Sequence, residues 1–473
     1  MSRVGSESKA VAKLKKKYKK WPPRRRLRDL KSAILIYLPA SVSVWILRKF
    51  LVKSDYSLKR ESSKFFELCN RSYARKKISE TDRLLHIALN MLGLDVSDSF
   101  SILLRDSVVS TLNSSKNRRD LTQRLLSAAR NLDGSMFDAT GWYQLSRGLF
   151  YLGYFRAAWI ARENSLDLSI IEGSKFDSGA TAVSRAVEAH LERLDLDSVH
   201  KVLSETKVLG PKALASFRES LRWFGSDLTV CSANDGSDVG GSKQLIHNLV
   251  NGKKVALVGP GCAHGEHGDE IDSADIVARI KYPGAEYLLD EKLFGKRCDI
   301  SQYPGLEPLR ELAAVSSNEY FDYLQLIIAG GTDSRPVRNT PVFCEDQELP
   351  MYRTTVTSGI RLLITLIRRS PSSLKIFGYN FYTEREPYSA GMKLFYENVA
   401  WKMGVGFLFG TRDDYPKVEI TSSFGAHDPV SNFCFAQNLY KAGLFDIEPY
   451  GKSILELTPY QYVERLEEML GDW

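Results

Sequence analysis

The pattern of apolar positions divides the chain into a helical first half and a second half with strands. In residues 60–225, apolar residues recur every three or four positions, as in LLHIALNMLGL (84–94), which predicts amphipathic helices. After residue 253 the pattern changes to short continuous apolar runs. The first is VALVG (255–259), which is typical of a strand buried on both faces of a parallel sheet. Further strands are predicted near 275–280, 324–329 and 373–378. The chain is therefore predicted to be multidomain, with an α-helical domain followed by an α/β domain.

One stretch of the helical half, residues 142–168, resembles a tetratricopeptide repeat. Large and small residues lie near the positions at which such a repeat packs its two helices closely. These residues are Trp142, Leu145, Gly148, Tyr151, Gly153, Tyr154, Ala157 and Ala158. Weaker similarities occur around 73–89 and 186–203. We therefore predict a repeat-like domain with a concave surface for a partner or a glycan carrier, and a plain helical domain is the alternative.

The basic charge of the chain is concentrated at its N-terminus. The whole chain has a formal charge of +8, and residues 1–31 alone hold thirteen Lys or Arg and two acidic residues. By difference, the remaining residues are slightly acidic in sum. Basicity is therefore a property of a tail and not of the folded body.

An apolar stretch, SAILIYLPASVSVWIL at residues 32–47, follows the tail. It is shorter than the about 20 residues that a bilayer span needs, and Pro39 would interrupt a helix near its middle. We favour a peripheral or monotopic anchor in which residues 9–50 bind the anionic cytoplasmic face of a membrane. A single-pass signal anchor and an ordinary core helix behind a solvated tail are the alternatives. No nucleic-acid recognition fold accompanies the tail, so nucleic acid is not a predicted partner.

A polar segment, CSANDGSDVGGSK at residues 231–243, is typical of a linker. The predicted organisation is a basic tail (1–31), a short apolar membrane-associating segment (32–59), a helical tetratricopeptide-like domain (60–230), a linker (231–251) and a catalytic domain (252–473).

Other residues with reactive side chains are scattered. The six cysteines form no CxxC pair, which favours reduced thiols in a protein that faces the cytosol. His264 and His267 flank a glycine turn after the first strand, where they either line a ligand pocket or lie at the surface. No spacing of acidic residues indicates a metal site.

Three motifs follow one another in the second half. The first is VALVGPG, a strand with a glycine turn, followed by GDEIDSADIVARI (268–280). The second, TSGIRLLITLIRRSPSSLKIFGYNFY (357–382), is a Ser-Gly helix start before a strand that ends in Gly-Tyr. The third, GAHDPVSNFCFAQNLYKAG (425–443), contains His427. Their order and spacing resemble the long, short and terminal motifs of sialyltransferases, glycosyltransferase family 29.

The resemblance implies a Rossmann-like domain, a GT-A variant, that acts as a metal-independent inverting glycosyltransferase. The donor implied is a CMP-sugar, bearing sialic acid or a related 3-deoxy-ulosonic acid such as Kdo. It is a substrate, so no cofactor is predicted. The acceptor implied is a glycan or glycolipid, as in polysaccharide biosynthesis. His427 corresponds to the family's general base, a role that suits histidine near neutral pH. The residues implied in donor binding are Gly259, Pro260, Gly261, Arg279, Lys281, Thr357, Ser358, Gly359, Gly378, Tyr379 and Tyr388.

The chain differs from the family's pattern at three positions. Pro260 and Lys281 stand where the family usually has asparagines that help to hold the nucleotide, and Asn432 stands where it usually has a glutamate. Two other functions therefore stay open. One is a Rossmann-like enzyme that binds a dinucleotide or S-adenosylmethionine at the glycine turn. The other is a non-catalytic repeat scaffold attached to a degenerate transferase.

Overall fold

In a computed structural model, the first half of the chain is helical and the second half contains a parallel sheet. The residues described are 69, 78–92, 94, 98–113, 118–175, 177–225, 242–282, 284, 290–303, 323–330, 335–337, 339–344, 349–384, 389 and 427–471. The predicted basic tail and apolar segment (1–59) lie outside them. Among the residues described, no helix has the length and apolar character that crossing a membrane requires.

The helices are α1 (Ile78–Leu92), α2 (Ser99–Asn113), α3 (Arg118–Arg130), α4 (Ala139–Leu152), α5 (Phe155–Gly173), α6 (Ala180–Glu192), α7 (Leu196–Glu205), α8 (Pro211–Phe224), α9 (Ser242–Val250), α10 (Gly268–Asp272), α11 (Glu291–Phe294), α12 (Ser358–Ile367), α13 (Pro429–Lys441), α14 (Pro449–Leu455) and α15 (Pro459–Gly471). The strands are β1 (Lys254–Val258), β2 (Ile276–Ile280), β3 (Ile300–Tyr303), β4 (Leu326–Ala329), β5 (Val342–Cys344), β6 (Ser373–Phe377) and β7 (Asp446–Ile447).

Local signals in the sequence define the ends of α4. The Asp138 side chain caps its first turn by accepting a hydrogen bond from the Gly141 amide at 2.7 Å. The helix ends at Gly153, whose φ of 81° is the left-handed conformation that glycine adopts without strain. Trp142 and Tyr154, two large residues of the repeat-like pattern, are buried. The helical character predicted for this stretch is confirmed.

The structure divides into two compact units, Met1–Ala161 and Arg162–Trp473. The division lies within α5 and not at the predicted linker 231–251. Helices α6 to α8 belong to the same unit as the sheet, and Phe224 of α8 packs edge-on against Phe435 of α13 with ring centroids 5.3 Å apart. Part of the predicted linker is α9, a helix rather than a loop, because its apolar Ile246 and Val250 are buried one turn apart.

The seven described strands form one parallel sheet in the order β5-β4-β3-β2-β1-β6-β7. From β1 the chain extends the sheet in one direction to β5, and it then returns to the other side of β1 for β6 and β7. The strand order therefore reverses between β1 and β6. Ligands of open parallel sheets bind at such a reversal, outside the carboxyl ends of the strands.

The four predicted strands are confirmed as β1, β2, β4 and β6, with ends that differ by one or two residues. Their apolar runs are buried on both faces of the sheet, as continuous apolar sequence predicts. The prediction missed β3, β5 and β7. β3 has the sequence ISQY, and the polar Ser301 and Gln302 at its centre are nevertheless buried. β5 and β7 have only three and two residues, too few for a recognisable pattern.

Candidate functional site

The glycine turn after β1 lies at the reversal of strand order, against the loop that follows β6. The Gly259 amide donates to the Phe377 carbonyl at 2.7 Å, and the Gly261 amide donates to the Gly378 carbonyl at 3.0 Å. A Cβ on Gly259 would overlap the Gly378 carbonyl oxygen. Both glycines therefore allow two loops to pack closely. Their amides are already paired, so the turn is not a set of open donors for a phosphate. Between them, Pro260 accepts a hydrogen bond from the Ser389 amide.

We expect Gly259→Ala to destabilise the protein by about 1–3 kcal/mol, the usual cost of forcing extra atoms into a packed site. The new Cβ would push apart the β1 and β6 loops, because main-chain atoms leave it no space. Urea unfolding measures the change. Gly134→Ala is the control, since nothing lies within 4 Å of its added Cβ. Equal stabilities of the two variants would contradict the packing role of Gly259.

The predicted short motif forms the start of α12 and its partner in the β6 loop. Thr357 caps the helix, and its Oγ1 lies 3.2 Å from the Tyr379 hydroxyl. Gly359 follows in the first turn, where a Cβ would overlap the Tyr379 ring. Ser358 is partly buried between them. The motif therefore brings a helix start and an aromatic hydroxyl together at the carboxyl end of the sheet.

His427 precedes α13 and lies beside the residues that lead into α12. Its Nδ1 donates to the Thr355 carbonyl at 3.0 Å, so the neutral ring carries its proton on Nδ1 and leaves Nε2 as an acceptor. Burial lowers the pKa of His427. The bond to Thr355 acts in the opposite direction, while the positive charges of Lys281 and Arg361 lower the pKa further. The histidine is therefore neutral at physiological pH.

Lys281 and Arg361 bring positive charge to this part of the site. Lys281 directly follows β2 with a φ of 54°, which is uncommon outside glycine. Arg361 lies in the first turn of α12, where the unpaired amides of the helix add partial positive charge. Together with His427 they form an environment suited to an anionic ligand.

Two other predicted residues do not join this group. Arg279 is buried, and its guanidinium donates to the carbonyls of Arg297 at 2.7 Å and Phe294 at 2.6 Å. It therefore holds the segment before β3 instead of presenting a free charge. Tyr388 lies outside the described residues.

Asn432, where the family has a glutamate, joins the two segments of the site. Its Oδ1 accepts from the Thr357 amide at 2.8 Å, and its Nδ2 donates to the Asp428 carbonyl at 2.9 Å and the Thr355 carbonyl at 3.4 Å. An amide can both accept and donate, which a carboxylate cannot do at these three contacts. The sequence indicated Asn432 only by its place in the terminal motif, and the roles of Thr355 and Arg361 had no signal.

His264 and His267 lie on the other side of the glycine turn. His264 forms an ion pair with Glu384 and stacks on Tyr450, with ring centroids 3.6 Å apart. The His267 ring packs against Phe377 at 5.4 Å. Neither histidine has a described contact with His427.

Within the described ranges, no group of three or more His, Cys, Asp or Glu side chains is arranged to hold a metal ion. No protein-family model, curated protein or solved structure matches the chain.

Proposed function

We propose that residues 252–473 form a metal-independent inverting glycosyltransferase domain similar to sialyltransferases. The donor would be a CMP-sugar of sialic acid or a related 3-deoxy-ulosonic acid, and the acceptor a glycan or glycolipid. The observation that carries the proposal is the setting of His427, whose Nδ1 is bonded to Thr355 and whose pKa is lowered by burial and by Lys281 and Arg361. A neutral base beside positive charge suits the deprotonation of an acceptor next to an anionic donor.

The proposed reaction moves one proton and one pair of bonds. Nε2 of His427 accepts the proton of the acceptor hydroxyl as its oxygen bonds to the anomeric carbon of the sugar. The bond from that carbon to the CMP phosphate oxygen breaks, and its electron pair stays on the phosphate. Lys281, Arg361 and the first turn of α12 would stabilise the departing anion. Donors of this class also carry a carboxylate, which suits a site with two cations.

The proposal extends to features outside this site. The reversal of strand order between β1 and β6 supports a Rossmann-like, GT-A-variant fold. The burial of Trp142 and Tyr154 supports a tetratricopeptide-like arrangement of α4 and α5. Residues 9–50 would hold the enzyme at the cytoplasmic face of a membrane, where lipid-linked acceptors lie.

A thermal-shift measurement on the full chain tests donor binding. We expect CMP, CMP-Neu5Ac or CMP-Kdo to raise the Tm, because a ligand at 100 times its Kd stabilises the native state by about 2.7 kcal/mol. NAD and S-adenosylmethionine serve as controls and should leave the Tm unchanged. If either control ligand raises the Tm and no CMP compound does, the protein uses another nucleotide. If none of the ligands raises it, the scaffold hypothesis replaces the transferase.

We also expect the acidic limb of the kcat–pH profile to lie below the ordinary histidine pKa of about 6.5. The base is active when neutral, and a lowered pKa keeps His427 neutral at more acidic pH. Lys281→Met should raise the His427 pKa, because it removes one of the charges that lower it, and should move the limb to higher pH. NMR titration of His427 in both proteins measures this directly. An unchanged His427 pKa in Lys281→Met would contradict the proposed electrostatics.

A further inference from the structure

Helix α5 contributes a buried polar stripe to the unit that holds the candidate site. Arg162, Ser165 and Ser169 follow one another at spacings of three and four residues, so they lie on one face of the helix. All three are buried, and the Arg162 side chain is 0% exposed. Buried polar groups of this kind need partners, which here come from two distant segments of the chain.

Arg162 binds the start of α13. Its Nε donates to Asp428 Oδ2 at 2.9 Å, and one terminal nitrogen donates to Ser431 Oγ at 2.6 Å. The guanidinium also forms a two-bond pair with the Glu192 carboxylate of α6. Asp428 at the same time caps α13, since Oδ1 accepts from the amides of Val430 and Ser431. The residue directly before this cap is His427.

Ser165 and Ser169 bind the segment that leads into α12. Their hydroxyl oxygens lie 2.6 and 2.8 Å from the hydroxyl of Tyr352, which is completely buried. Two residues farther along, Thr354 Oγ1 accepts from the Asp428 amide at 2.7 Å. The next residue, Thr355, supplies the carbonyl that accepts from His427.

The two segments that meet in the His427–Thr355 hydrogen bond are thus each fixed to the same face of α5. A buried triad of one arginine and two carboxylates gains little stability over apolar side chains of the same size. Its bonds are directional, however, and the planar guanidinium fixes several partners at once. The triad is therefore better suited to holding these segments in register than to stabilising the fold.

We infer that Arg162 is a positioning residue for His427, and that α5 and α6 complete the candidate site instead of forming a separate accessory domain. This inference rests on the proposed function for its kinetic consequence, but the orientation of His427 can be measured without turnover. The charged groups facing His427 are Lys281 and Arg361, and Asp428 follows it in the chain.

The test uses the full chain with the triple substitution Arg162→Met, Glu192→Gln and Asp428→Asn. The triple variant removes all three charges, so no buried charge is left unpaired, and asparagine preserves the helix cap. Asp428→Asn alone controls for the loss of a charge next to His427. Arg368→Met with Glu219→Gln is the matched control for the loss of an ion pair. Those residues pair at 2.6 and 2.9 Å at the opposite end of α12.

Nitrogen-15 NMR of labelled histidine gives the tautomer of His427. We expect the Nδ1–H form in the wild type and in both controls, and a mixture with the Nε2–H form in the folded triple variant. We also expect kcat to fall roughly 100-fold at unchanged KM for the donor, the loss that misplacement of a reacting group by about 1 Å produces. Arg162→Lys, which keeps the charge without the fork, should show a smaller change in both readouts if the triple variant does not fold.

A folded triple variant with the wild-type tautomer and kcat would overturn the inference, and so would wild-type behaviour of Arg162→Lys if only that variant folds. If the wild type itself turns over no CMP-sugar, the proposed function fails. In that case the tautomer alone decides whether Arg162 positions His427.

Discussion

His427→Ala should lower kcat by about 100- to 10,000-fold, the range that a positioned general base contributes. The expected loss follows from the geometry of the ring. Nδ1 is held by the Thr355 carbonyl at 3.0 Å, so Nε2 is the nitrogen that can take a proton from an acceptor. An alanine has no group that replaces it. CMP release under saturating donor measures the change in kcat.

Binding of CMP should be unchanged in His427→Ala, because the proposed nucleotide contacts lie on other residues. His200→Ala is the control, since His200 lies on an exposed position of α7. We expect its kcat to equal that of the wild type. A His427→Ala variant with wild-type kcat would show that another group is the base, and the assignment of His427 would be wrong.

Arg162→Met alone should destabilise the protein by about 3–5 kcal/mol, the cost of removing one partner of a buried ion pair. The substitution leaves two carboxylates without their shared cation: the Glu192 and Asp428 side chains are 6% and 1% exposed. Urea unfolding of the full chain measures the loss. Adding Glu192→Gln and Asp428→Asn should recover most of it, because neutral amides do not need a cation.

The control for this prediction is Arg193→Met. Arg193 also pairs with two carboxylates, Glu163 and Asp167, but it is 33% exposed. Ion pairs at the surface contribute about 0–1 kcal/mol, so this variant should lose little stability. If Arg162→Met loses no more than Arg193→Met, the buried triad does not have the energetic weight assigned to it.

Local sequence patterns predicted the parts of the fold that depend on local chemistry. The apolar runs of β1 and β6 identify buried strands, and Thr357 before an amphipathic run identifies the start of α12. Asp138 and Gly153 likewise define the ends of α4. In each case the signal and its consequence lie within a few residues of each other.

The missed features depend on residues far apart in the chain. Arg162 and Asp428 are separated by 266 positions, and nothing near Arg162 in the sequence indicates a buried partner. The glycine turn was predicted correctly as a close approach, but the group that approaches is the β6 loop, 119 positions away, and not a phosphate. The unit boundary within α5 has the same origin, because contacts of Arg162 join that helix to the sheet-containing unit.

The most direct test of the central proposal is CMP release by the full chain from CMP-Neu5Ac and CMP-Kdo, in the presence of EDTA and a glycan acceptor. The proposal predicts that one donor is turned over in EDTA and that His427→Ala removes this turnover. Absence of release from both donors by wild-type protein, with no change of Tm on adding CMP, would contradict it.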